Sequence, residues 1–151
     1  MNIRKLMADQ EPPMELLRLA DPSSKIIIDY LARGECYVAE NTDGIVGVYV
    51  LLPTRPETVE LVNVAVFEHA QGNGVGKLLV TDAILKAKEK GFKTIEVGTG
   101  NSSIGQLALY QKCGFRIVAV DFDFFTKHYE ETIFENGIWC RDMIRLSQEL
   151  N

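Results

Sequence analysis

Residues 71–77 read Gln-Gly-Asn-Gly-Val-Gly-Lys and stand between an apolar run with strand character and an amphipathic run with helical period. Glycines let successive backbone N–H groups turn toward one point, and a helix N-terminus adds partial positive charge, so such a loop suits an anion. Two nucleotide patterns fail on it. A G-x-G-x-x-G fingerprint begun at Gly72 ends on Lys77, and begun at Gly74 ends on Leu79. A P-loop ending at Gly76-Lys77 would need glycine at Gln71 and Ser or Thr at Leu78. What remains is Q-x-x-G-x-G, from Gln71 to Gly76. A second chemical cluster is the segment 121–135, DFDFFTKHYEETIFE, where Asp121, Asp123, Glu130, Glu131 and Glu135 stand against Lys127. Its formal charge, 1 − 5 = −4, is most of the chain's −5. Interleaved aromatics make it suited to a cationic amine, with Asp123, Phe125, His128 and Tyr129 the candidate contacts. The alternative is a solvated edge strand and loop whose aromatics alternate into the core.

Composition narrows the classes. A chain of 151 residues with 46% hydrophobic and 25% charged residues is expected to form one domain, 1–151. Its net charge of −5 and lack of any Lys/Arg run argue against nucleic acid. No signal-peptide pattern opens the sequence, and no window approaches the ~20 apolar residues of a membrane span, so a cytoplasmic location without a membrane partner is expected. Cys36, Cys113 and Cys140 are odd in number and lack C-x-x-C spacing, which suggests neither disulfides nor a metal site.

The elements that must position these residues follow from period and punctuation. Ile3–Met7 reads as an edge strand, and helices are expected up to Ala20 and over Lys25–Arg33, closed by Gly34. Cys36–Glu40 and Ile45–Leu52 read as a hairpin around Asp43-Gly44; Pro53 ends the second strand and Thr58–Val66 forms a third. Val75–Lys90 carries a helical stripe at Leu79, Val80, Ala83, Ile84 and Ala87, terminated by Gly91. Lys93–Val97 is a strand, and Ser103-x-x-Gln106 matches a capping box opening a helix that stops at Gly114. Phe115–Phe125 is β-rich, 126–137 an irregular or partly helical insert, and Ile138–Leu146 a final strand. The pattern predicts an α/β (α+β) arrangement around one mixed sheet flanked by helices.

Three pieces in this order and spacing resemble the GNAT superfamily of acyl-CoA-dependent N-acetyltransferases: Leu61-Val62-Asn63-Val64-Ala65-Val66, then Gln71–Gly76, then Ala108-Leu109-Tyr110-Gln111-Lys112-Cys113-Gly114-Phe115. The last is similar to the family's L-Y-x-K-x-G-F helix end. The resemblance runs from about Cys36 to Phe125. It implies a mostly antiparallel sheet, splayed between the strand ending near Val66 and that ending near Val97, with acetyl-CoA in the V as co-substrate and no metal. The pyrophosphate would lie on the backbone of Gln71, Gly72, Asn73, Gly74, Val75, Gly76 and Lys77, and the pantetheine arm along Val64, Ala65 and Val66. One of those strand N–H groups would polarise the thioester carbonyl, and Asn101 would also face the cofactor.

The same resemblance makes Tyr110 the proton donor to the departing thiolate; the alternative is a helix tyrosine packed on Leu107. Glu60 aligns with a glutamate that works through a water as base, although alternation could instead put it on a solvated strand face. His69 and His128 are alternatives by pKa. The expected activity is direct acetyl transfer to a primary amine, with a small cationic acceptor favoured. A catalytically silent CoA-binding module and a protein N-terminal or lysine acetyltransferase are the competing readings. An exposed strand edge near the C-terminus could pair in a homodimer.

Overall fold

The computed structural model describes residues 1–151. β1 (Asn2–Lys5), β2 (Glu35–Asn41), β3 (Gly44–Arg55) and β4 (Thr58–Val66) pair antiparallel in succession. Between β2 and β3 the Asn41 side chain accepts from the Asp43 N–H at 2.8 Å, and Gly44 supplies φ of +115°. β3 does not end at Pro53. Pairing with β2 stops at Leu51, so the missing proline N–H falls where β3 is locally an edge, and the strand runs on to Arg55.

α1 (Met14–Ala20) and α2 (Ser24–Arg33) cover one face of the sheet; α3 (Val75–Glu89) and α4 (Ile104–Lys112) cover the other. β3 is therefore buried on both sides. Tyr49 and Leu51 face the α3 and α4 side, while Val48, Val50 and Leu52 face α1 and α2. Ser23 caps α2 by accepting from Ile26 N–H at 3.2 Å. Gly34, expected to close α2, does so by close approach: its φ is −114°, and a Cβ would lie 2.5 Å from the Leu51 carbonyl oxygen.

The sheet order is β1-β2-β3-β4-β5-β9-β6, with β5 (Thr94–Gly100), β6 (Arg116–Asp121) and β9 (Met143–Glu149). β4 and β5 are parallel, and they pair only from Thr58 opposite Thr94 to Leu61 opposite Val97. At that point β4 bulges, with Val62 extra between the pairs Leu51–Leu61 and Val50–Asn63. A bulge bends its strand, and here the two parallel strands part. The last strand lies inside the sheet, so the edge near the chain's end is β6.

The C-terminal quarter departs from expectation. Strand character stops at Asp121. Asp123 takes φ of +62°, its N–H donates to Asp142 at 2.9 Å, and α5 (Phe124–His128) follows. The insert then forms a hairpin, β7 (Ile133–Glu135) with β8 (Ile138–Cys140). β8 and β9 are separate because the Asn101 side-chain oxygen takes the N–H groups of Arg141 and Asp142, at 2.9 and 3.0 Å, out of any ladder. The capping box does not form either: Ser103 Oγ donates to Glu135 at 2.7 Å and makes no cap bond.

Candidate active site

The splay leaves one edge of β4 unpaired beyond Leu61. Phe67 N–H donates to Val46 O across β3. By the two-residue period, Ala65 and Asn63 also turn their backbone groups to β3, and Val64 and Val66 turn theirs into the split. Val66 O is already taken by the Gln71 side-chain amide at 2.9 Å, which staples the glycine loop to the end of the strand. Val64 keeps both its N–H and C=O for whatever lies there.

The loop completes the cleft. Gly72 and Gly74 adopt φ of +84° and +80°, and Gly74 caps α3 without a side chain. None of the six amides from Gly72 to Lys77 donates to any protein acceptor, and the first intrahelical bond is Leu78 N–H to Gly74 O at 3.0 Å. A row of unclaimed N–H groups at a helix N-terminus is an anion site. Gly76 lines the cleft at ordinary backbone dihedrals, and a side chain there would extend toward Leu109 on the opposite wall, at 3.6 Å from its Cβ. The cavity so formed is about 550 Å³, walled by β4 at Val64–Val66, by the loop, and by Ser103, Gln106 and Leu109 of the α4 region. Asn73 and Lys77 hold exposed side chains outside that wall and offer only backbone.

Tyr110 lies one turn beyond Gln106 on α4. Its ring is buried edge-on to Phe115 at 5.9 Å, and burial pushes the phenol pKa well above its ordinary value. The hydroxyl makes no protein hydrogen bond and is not fully sealed, but Tyr110 belongs to the core cluster and does not itself line the cleft. Asn101 is elsewhere: it donates to Trp139 O at 3.0 Å and accepts from the β8–β9 turn, and it does not line the cleft. The cleft residues missed in the sequence are Ser103, Gly105, Gln106 and Leu109 of the α4 region, the first and third masked by their capping-box spacing, and Glu135 and Asn136 of the insert, which the sequence places with the acceptor or nowhere.

Glu60 shares its sheet face with Leu52 and, because the Val62 bulge resets the alternation, with Asn63. That is the α1–α2 face. Burial raises its carboxyl pKa, opposed by the nearby Arg145 charge and reinforced by Glu96. On this side lies a second cavity of about 850 Å³, between the start of α2 (Ser23–Ile26, Asp29) and the insert (His128–Glu131, Ile133). His128 and Tyr129 therefore meet in one wall, joined by Glu130 and Glu131. Asp123 instead faces Arg141 at 3.5 Å, and Phe125 packs beside Gly100. Asp121 pairs with Arg145 at 3.2 Å as Asp123 does with Arg141, so the acidity of the insert is partly neutralised, while Glu135 keeps its charge and accepts from Ser103. His69 is exposed and stacked on Phe67 at 5.6 Å.

Tyr129 also reaches inward. Its hydroxyl donates to the buried Asp21 carboxylate at 3.0 Å, which accepts from Ser23 N–H as well. Asn63 joins the same region, donating to Tyr30 Oη at 2.8 Å and to Leu17 O at 3.0 Å. No Lys, Arg or His pairs with Asp21, and desolvation raises its pKa.

A strand edge free beside a split parallel pair, ending in a row of helix-start amides, gives an extended arm and a phosphate group one continuous seat. The model of the Acetyltransferase (GNAT) family matches residues 3–115, and the chain belongs to that family. It is 60% identical to the uncharacterized N-acetyltransferase YvbK of Bacillus subtilis, over 99% of this chain and 100% of that one. Among solved structures, a Bacillus subtilis acetyltransferase in complex with CoA is 60% identical with a TM-score of 0.94, covering 99% of this chain and 98% of that chain. A GNAT family acetyltransferase from Elizabethkingia anophelis with acetyl-CoA bound is 50% identical with a TM-score of 0.97, covering 99% and 97%. The protein is an N-acetyltransferase whose co-substrate is acetyl-CoA. No helix is long and apolar enough to cross a membrane.

Proposed function

We propose that residues 1–151 form one catalytic domain, working in the cytoplasm, that acetylates the primary amine of a small cationic acceptor by direct transfer. The observation that carries the acceptor reading is the second cavity, whose wall holds Glu130 and Glu131 with no ion-pair partner. Asp29 beside them is already bridged to Arg33 at 2.8 Å.

Acetyl-CoA supplies an activated thioester. The amides Gly72–Lys77 hold its pyrophosphate, each charge-assisted bond contributing about 1.5–3 kcal/mol. The Val64 and Val66 edge aligns the pantetheine arm, and one of these N–H groups polarises the thioester carbonyl, an effect typically worth ~2.7–4 kcal/mol in the transition state. Glu60, acting through a water, takes the proton of the ammonium so that the amine can attack. Tyr110 gives a proton to the leaving sulfur. The phenol is protonated at neutral pH at its ordinary pKa already, and burial disfavours the phenolate further, so the proton is there to give once a thiolate forms beside it.

The test is a panel of amines with acetyl-CoA, read by thiol release and by product mass. Acetylation of polyamine-like or basic small amines is expected. Anionic amino acids or peptide N-termini as the only acetylated class would replace this reading. The homodimer is assigned to the β6 edge, where Ile117, Val118 and Val120 are exposed. A monomer by light scattering at micromolar concentration would remove it.

A further inference from the structure

We infer that Asp21, acting through Tyr129, selects an acceptor that carries a second cationic nitrogen besides the amine to be acetylated. This holds on the reading that the second cavity seats the acceptor. Tyr129 lines that cavity, and Asp21 lies buried behind its hydroxyl, at the turn from α1 to α2. Burying an ionised carboxylate is costly unless a cation or several donors meet it. Asp21 has only neutral donors: Ser23 N–H and the Tyr129 hydroxyl, both to Oδ1 at 3.0 Å, and the Tyr30 phenol. Its charge therefore has no counter-ion within the protein. The Ser23 bond is a local turn that an asparagine oxygen would serve as well. The Tyr129 bond spans 108 positions of chain and joins the carboxylate to the cavity wall.

A phenol has one proton to give, and Tyr129 gives it to Asp21, so its oxygen has only lone pairs left for the cavity. Such an oxygen accepts from an ammonium and repels an anion. Behind it the carboxylate adds a field that buried surroundings screen weakly, whereas Glu130 and Glu131 on the same wall are exposed to water and salt. Lys25 is the one lysine in the wall, itself exposed, and no arginine lines it. Asp21, Glu130 and Glu131 outnumber it. The reacting amine must lose its charge before it can attack. The positive charge that this wall recognises therefore belongs to a second nitrogen, which makes the acceptor class a diamine.

Steady-state acetylation of butane-1,4-diamine and of 4-aminobutan-1-ol, in which a hydroxyl replaces one ammonium, decides the matter. The wild type is expected to favour the diamine in kcat/KM. Asp21→Asn keeps an oxygen for Ser23 and Tyr129 and removes only the charge. It is expected to cut that preference about tenfold, through the diamine KM. The amino alcohol's kcat/KM and the CoA Kd, read by calorimetry, should stay near wild type, which a general loosening of the fold would not allow. Tyr129→Phe keeps the carboxylate and removes its link to the wall, so it should shrink the same ratio, and it decides alone if Asp21→Asn does not fold. A preference that survives in the variants, or an equal loss for both amines, overturns the role of Asp21 and leaves the acceptor reading standing. A wild type that acetylates neither amine, or treats the two alike, removes the cationic-acceptor reading and this role with it.

Discussion

Tyr110 and Glu60 are both ionisable and both buried enough to be shifted upward, and the proposed reaction asks opposite things of them. A phenol holds its proton at neutral pH with or without the shift, so the donor role rests on contact with the leaving sulfur and not on the elevation. Tyr110→Phe is expected to lower kcat by ~10²–10⁴ with the acetyl-CoA Kd little changed, checked by steady-state rates beside calorimetry; unaltered turnover would remove the assignment. For a base, an elevated pKa moves the acid limb. As the proposed base, Glu60 must be ionised to work, so kcat/KM should fall as pH drops through a pKa above the ordinary carboxylate range. Glu60→Gln should flatten that limb and lower the plateau. An unchanged pH profile in the variant would show that the proton leaves by another route.

At the scale of elements, two glycines show two different demands. Gly74 begins α3 at φ of +80° with open space around an added Cβ, so the cost of Gly74→Ala is conformational. About 1–2 kcal/mol is expected, or roughly 2–4 °C per kcal/mol in Tm for a domain of this size. Gly34 has an ordinary φ, but an added Cβ would lie 2.5 Å from the Leu51 carbonyl oxygen, so Gly34→Ala must push α2 off β3. Overpacking of that kind costs about 1–3 kcal/mol. Thermal melts should therefore show both variants destabilised, whereas CoA affinity should fall only for Gly74→Ala. Loss of CoA binding in Gly34→Ala with its fold intact would contradict this division.

The whole molecule joins its two cavities through residues far apart in the chain. The Tyr129–Asp21 bond ties the insert to the α1–α2 turn, and Asn63 beside it precedes the free Val64 edge. Tyr129→Phe leaves the ring and removes the tie, so the insert wall should loosen. The expected result is an acceptor KM raised several-fold with the acetyl-CoA Kd unchanged, measured with whichever amine the panel identifies. A variant with wild-type KM would mean that packing of Phe125 and Tyr129, at 5.4 Å between ring centres, holds the insert by itself.

Local chemistry is what the sequence determined. The glycine loop, the α3 stripe, the stops at Gly91 and Gly114, and the three-strand meander up to Val66 depend on neighbours a few residues apart, and they appear where period and turn residues put them. Together with the helix end at Tyr110 they were enough to give the family. The tertiary structure decided whatever depends on a partner distant in the chain. Pro53 stays in a strand because β2 has already ended; β8 parts from β9 because Asn101 arrives from β5 to take two N–H groups. Ser103 abandons its cap for Glu135, which arrives from the insert hairpin. Asp21, readable only as a turn residue, becomes a buried carboxylate because Tyr129 closes over it. Spacing along a chain fixes which groups can meet within one element. Which group wins a hydrogen bond between elements is settled by the packing that brings the competitors together.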